Sequence, residues 1–358
     1  MKAMKRSRHQ RISPNAAGRR PGSRAAWCTA IFGAICFASV VMTASAAAPA
    51  TAPADDYPSV AISDGRVTVH MYLPDPQRGF YRGPRFDWSG MISRVEYQGH
   101  TWFGRWKTSH NPTRHDDVVG PAEEFGMQMP LGYAEAAPGE TFIKIGVGHL
   151  RKPADAGYFF AQGYEIAAPG AWHVESGARR VLFRQTVADD RGWGYVYVKQ
   201  VSLLSEASGF EIRHELKNTG TKAIDTDVYC HNFIIIDGRP IGPEYSVEFP
   251  FTPTVTTDKH LHGLVEIAGR EIRLKADLGG RTIWAPLDGY RGVDDNSVTV
   301  RNTAGGAGIR ITGDRPPLRW VLYGAPLALC PEPFVAVRIA PGETMTWSSR
   351  YVLLVDKR

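Results

Sequence analysis

The 358-residue chain reads as an all-β protein, a large antiparallel β-sandwich, on three observations. Short runs of β-branched and aromatic residues alternate with Gly, Pro, Asn and Asp at the spacing of roughly 8 to 12 residues that hairpin-connected strands need. No stretch sustains a helical apolar period between capping residues. The 37 Gly and 25 Pro fit a fold made of turns, because helix interiors reject both.

In chain order, residues 1–24 carry eight basic side chains and no acid, and residues 25–41 are apolar. Ala44-Ser45-Ala46 then gives a small-x-small cleavage pattern. That order is a secretory signal peptide over residues 1–46, expected to be cleaved near Ala46. The apolar run is short for a bilayer span, so the mature form is expected to be periplasmic or secreted and not membrane-embedded. Arg19-Arg20 is followed by Pro-Gly, a poor match to a twin-arginine signal. Residues 47–56 form an Ala/Pro/Thr-rich leader expected to be disordered.

The whole chain is +6, but without the signal 34 basic residues face 36 acidic ones, a net of −2. The mature chain therefore has no footprint for nucleic acid. Cys28 and Cys36 leave with the signal. Cys230 and Cys330 remain; they could approach one another in an oxidising compartment, but two buried free thiols are the favoured reading.

From residue 57 to 358 no linker, charge block or repeat interrupts the pattern, so one β domain is expected. Strands are predicted over residues 66–73, 90–97, 180–187, 194–204, 210–218, 225–236, 298–302, 308–312, 319–323 and 344–355. The clearest local unit is 194–232, read as three consecutive antiparallel strands. Gly306-x-Gly308 is a turn between strands, not a phosphate loop.

Two stretches carry candidate chemistry. In DVYCHNFIIIDG, residues 227–238, His231 and Asn232 interrupt an otherwise apolar strand expected to be buried on both faces and ended by Asp237-Gly238. A buried imidazole needs a partner, and its pKa is moved by burial and by carboxylates, which makes His231 a candidate proton carrier or a satisfied core residue. About a hundred residues on, Glu332 stands between Pro331 and Pro333. Prolines on both sides remove backbone donors, so the carboxylate is expected at a strand end rather than inside a ladder.

These stretches resemble the aldose 1-epimerase (galactose mutarotase-like) family. Tyr229-Cys230-His231-Asn232-Phe233 is loosely similar to the segment bearing that family's acid histidine. Cys330-Pro331-Glu332-Pro333 is similar to its Glu-Pro base segment, and Ala340-Pro341-Gly342-Glu343 to the Pro-Gly-Glu that follows. The resemblance implies a galactose mutarotase-like supersandwich, His231 as acid and Glu332 as base, and no cofactor. The family's second histidine sits in a His-Gly-Gly segment that this chain lacks, with His149 and His173 as possible substitutes.

The N-terminal third adds candidate substrate-binding residues. Arg82 and Arg85 lie beside Phe86 and Trp88 in a segment resembling the opening Gly-x-Arg strand of the epimerases, where a guanidinium can clamp a hydroxyl while rings face the sugar. Glu123 and Glu124 are adjacent on a strand, so at most one can enter a cleft. Lys144, if buried, needs one of them as its partner. Asn232 completes the set.

His260 and His262, placed on one face by i, i+2 strand spacing, and His115-Asp116-Asp117 could each contribute metal ligands. Neither has a third ligand at convincing spacing, so no metal is expected. The predicted function is acid–base ring opening of an aldose, a free sugar or the end of a glycan, with ionised Glu332 and protonated His231. The alternatives are a non-catalytic carbohydrate-binding sandwich and a polysaccharide lyase-like enzyme on a related fold.

Overall fold

A computed structural model describes residues 56–357. The expected signal peptide, nearly all of the expected leader, and Cys28 and Cys36 lie outside these residues. The described chain is built of antiparallel strands; the one helical element among them is a 3₁₀ turn, Val293–Asp295. No helix among the described residues is long and apolar enough to cross a membrane.

The largest sheet has ten strands, in spatial order Val265–Ala268, Glu271–Leu274, Tyr245–Glu248, Ser297–Asn302, Ala307–Gly313, Thr344–Val355, Gly209–Asn218, Gly194–Leu203, Arg180–Ala188 and Ala171–Ser176. A second sheet has six strands in the order Thr254–Val255, Ile283–Asp288, Arg319–Ala325, Ala328–Ile339, Ile224–His231 and Ala122–Phe125. Two smaller sheets flank these. One is four-stranded, from Ser59–Ser63 through His100–Trp102, and one three-stranded, from Thr141–Lys144 through Ile166–Pro169.

Strand periodicity makes the sandwich. Along Gly209–Asn218 the burial alternates, sending Phe210, Ile212 and Leu216 inward. Across the gap the six-stranded sheet answers with Trp320 and Leu322 in one core cluster and with Val228, Val335 and Val337 in another. The alternate residues of the same strands, including Tyr229, Cys330 and Phe334, point to the opposite face and pack on Phe86, Trp88 and Phe233. Both faces of this sheet are therefore buried around the end of the His231 strand, where Val228 to His231 are all buried.

Four sequence expectations are corrected here. Residues 194–232 do not form three strands of one sheet. Gly209–Asn218 pairs with Gly194–Leu203 on one side and with the distant Thr344–Val355 on the other, while Ile224–His231 crosses to the six-stranded sheet. A strand buried on both faces needs a covered central place, and the crossing supplies one.

The predicted strand 225–236 ends at His231. Phe233 has φ 38°, and only isolated bridges at Ile234 and Ile236 follow before the left-handed turn at Asp237 and Gly238. Glu332 is not at a strand end but inside the twelve-residue strand Ala328–Ile339. The prolines are tolerated because that side of the strand faces the place where the His231 strand stops. There the Asn232 side chain, not a backbone N–H, donates to the Pro331 carbonyl at 2.6 Å. His260 to His262 form a turn with His262 at φ 53°, so strand spacing does not apply to them.

Candidate active site

The cleft is the outer face of the six-stranded sheet, covered by loops from the N-terminal third. Its floor is drawn from alternate positions of neighbouring strands: Tyr229 and His231, Glu332 and Phe334, and Arg319, Val321 and Tyr323. Trp106, His115 and Phe160 come from the loops, and Trp284 stands at the rim, 42% exposed. The cleft encloses about 280 Å³.

His231 and Glu332 meet on that floor, with Nε2 3.2 Å from Oε1. The contact is off the hydrogen-bond direction, and both Oε1 and His231 Nδ1 are buried without a hydrogen-bond partner. Burial pushes the Glu332 carboxyl well above its usual range, with Arg85 working against the shift and Glu124 adding to it. Burial, with the charge of Arg85 adding, holds His231 well below the usual imidazole value. Burial thus works against the expected pair of carboxylate and imidazolium, because it disfavours the charged form of each group. Carboxylic acid with neutral imidazole and carboxylate with imidazolium hold the same single transferable proton. The imidazole is fixed by stacking on Phe233, centroids 3.8 Å apart, and by the edge contact with Tyr323.

Arg85 reaches the cleft from the loop before Trp88. Its Nε donates to Glu124 Oε2 at 2.7 Å and its Nη2 to the Tyr229 hydroxyl at 2.7 Å, and the tyrosine donates on to Glu124 at 2.8 Å. Lys144 Nζ holds the other Glu124 oxygen at 3.0 Å. Burial alone would raise the Glu124 carboxyl, but Arg85 and Lys144 outweigh it and hold it below the usual carboxylate range. The guanidinium packs on the Phe86 and Phe160 rings, and Nη1 approaches His115 Nδ1 at 3.4 Å. Burial lowers the His115 pKa, which suits an imidazole accepting from arginine.

The remaining candidates are placed elsewhere. Glu123, adjacent to Glu124, faces the other way, where Lys199 lies at 2.5 Å and His214 at 3.4 Å between the sheets. It is a structural ion pair and not a substrate contact, because successive strand residues face opposite sides. Lys144 is fully buried behind Glu124 and does not line the cleft. Asn232 also lies behind the floor, donating to Pro331 and accepting from the Tyr351 hydroxyl at 2.9 Å. Arg82 is outside the cleft, with its backbone N–H on the Pro112 carbonyl. His149 sits in the three-stranded sheet, and His173 pairs with Glu175 at the surface. The second cleft histidine is His115 instead.

Cys230 and Cys330 are both buried free thiols. Cys330 shares a face with Glu332, and with His231 the three could offer metal ligands, their atoms all within 4.8 Å. Burial pushes the Cys330 thiol well above its usual pKa.

No protein-family model matches the chain, and no curated protein matches it in sequence. Solved structures do match in shape. A galactose mutarotase-like protein from Clostridium acetobutylicum aligns over 83% of this chain and 95% of its own, with TM-score 0.53 and 11% identity. The chain has the galactose mutarotase-like fold. An Escherichia coli K12 protein described as a candidate aldose 1-epimerase aligns over 83% of this chain and 99% of its own, with TM-score 0.51 and 10% identity. A Klebsiella pneumoniae protein with the same description gives TM-score 0.51 and 13% identity, over 81% of this chain and 77% of its own.

Arg319, Tyr323, Trp284 and the loop residues Trp106 and Phe160 escaped the sequence reading. For Arg319 and Tyr323 a signal existed: they alternate along a predicted strand otherwise rich in apolar residues, RWVLY, and so share a face. For the loop residues there was none, since their position depends on where non-local segments fold back.

Proposed function

We propose that this is an exported carbohydrate-active protein that interconverts sugar anomers by acid–base ring opening, with His231 and Glu332 as the proton-transferring pair. The observation that carries the reading is a titratable pair 3.2 Å apart, with unpartnered polar atoms, on the floor of an aromatic cleft in a galactose mutarotase-like fold. One member takes the proton of the anomeric hydroxyl as the C1–O5 bond breaks, and the other donates a proton to the ring oxygen. The open aldehyde rotates about C1–C2 and recloses with the roles reversed. Because the resting pair holds one proton, a full cycle returns it unchanged and consumes no cofactor. Arg85, kept charged and oriented by Glu124, stands close enough to stabilise the carboxylate when it forms.

Replacing His231 by Asn or Glu332 by Gln keeps approximate size and removes proton transfer, so each should lower the anomerisation rate roughly 10²–10⁴-fold. The double variant should lose little more than the worse single one, because the two act as a unit. Polarimetry or NMR exchange over a panel of hexoses, pentoses and uronates reads this. Single variants at full rate would remove the pair from the mechanism.

A binding-only protein is the second reading, favoured by the direct His231–Glu332 contact, which must part to admit a hemiacetal. Sugar binding without acceleration of any panel member would select it.

A further inference from the structure

The buried cations around the cleft are neutralised by protein carboxylates: Arg85 and Lys144 by Glu124, and Lys199 by Glu123 and Asp87. Arg319 is an exception. It is half-buried on the cleft face of Arg319–Ala325, with its guanidinium carbon 3.8 Å over the centroid of the Phe334 ring. Its Nε is buried without a hydrogen-bond partner, and no carboxylate among the described residues forms an ion pair with it. Asp227 and Glu332 lie near enough to feel its charge but neither makes such a pair, and burial pushes both carboxyls up, towards the neutral form. A guanidinium partly withdrawn from water with no ion-pair partner is costly, and stacking on Phe334 fixes its plane where Arg319 lines the cleft.

Strand register sets the span. Val321 lies opposite Glu332, and Arg319 is two residues further along the same face. A diagonal neighbour of that kind is about 7–8 Å away between backbones, the scale of one sugar ring and its substituent.

From this geometry we infer that the cleft is built for a sugar bearing an anionic group, a uronate carboxylate or a phosphate ester, which docks on Arg319 while the anomeric carbon lies at His231 and Glu332. The inference rests on the proposed acid–base reading for the orientation of the sugar, and the anion subsite can be tested apart from it.

Anomer exchange is measured by NMR for glucose, glucuronate and glucose 6-phosphate with the wild type, Arg319→Gln and Arg319→Lys, each variant checked for a native near-UV spectrum. At least one acidic sugar should exceed glucose in kcat/KM. Arg319→Gln should lower that preference roughly 10- to 100-fold, the worth of a charge-assisted contact, mainly through KM, with Arg319→Lys in between. The acidic sugar that responds identifies carboxylate or phosphate as the anion. Glucose turned over as well as both acidic sugars, or equal losses on all three in Arg319→Gln, overturns the inference. Should no sugar be turned over, calorimetric titration of the same ligands decides it alone. An affinity preference for an acidic sugar that Arg319→Gln removes supports the anion subsite while the catalytic reading fails, and no preference overturns the subsite as well.

Discussion

Glu332 shows how one buried titratable side chain can report on the site through stability. In the folded cleft its carboxyl is held well above the unfolded value of 4.5, so the folded chain binds a proton that the unfolded chain has already released. Stability from this group is full below that value and is lost as pH rises above it, by at most about 1.4 kcal/mol per pH unit. His231 has the opposite sign: held below 6.5, it costs stability as pH falls beneath that value. Glu332→Gln is neutral at every pH and lacks the first loss. Its stability advantage over the wild type should therefore grow between pH 5 and pH 8, as read by urea denaturation at both. A gap that stays constant or shrinks would mean that the carboxyl is already ionised in the folded protein at pH 5.

Between elements, buried charge ties the two large sheets together. Glu123 comes from the six-stranded sheet, while Lys199, His214 and Tyr197 come from the ten-stranded one. Asp87 closes the cluster, accepting from Tyr197 at 3.0 Å and from the Ser89 hydroxyl. Burial would raise the Glu123 carboxyl, but Lys199 and His214 outweigh it and bring it down to about 2. Lys199→Met would leave two carboxyls facing each other in the core and should cost about 3–5 kcal/mol. Adding Glu123→Met should recover part of that loss, because an apolar pair needs no counter-charge. Chemical denaturation of the three variants measures both effects, and additive losses would show that the groups do not interact. The same alternation that sends Glu123 into this cluster puts Glu124 under the cleft, a division legible from two adjacent letters once they are read as a strand.

For the whole molecule, residues 1–46 motivate an export prediction: mass spectrometry of the native protein should find an N-terminus near Ala47, and an unprocessed chain retained in the cytoplasm would defeat it. The sequence by itself determined the all-β class, through turn spacing and the lack of helical periodicity, and most of the longer strands. It also singled out His231 and Glu332, because a titratable side chain in an apolar run is visible locally. What only the tertiary structure decided was which strands become neighbours. Thr344–Val355 takes the edge of Gly209–Asn218 that local reading had assigned to the His231 strand, and Asn232 serves as a backbone clip. The reach of His115 in place of His149, the counter-charge of Glu123 and the unpaired state of Arg319 follow from that pairing. Local sequence specifies each strand's two faces, whereas burial on both faces requires partners supplied by segments a hundred residues away. Their register, not their composition, sets which charges meet and which are left for a ligand.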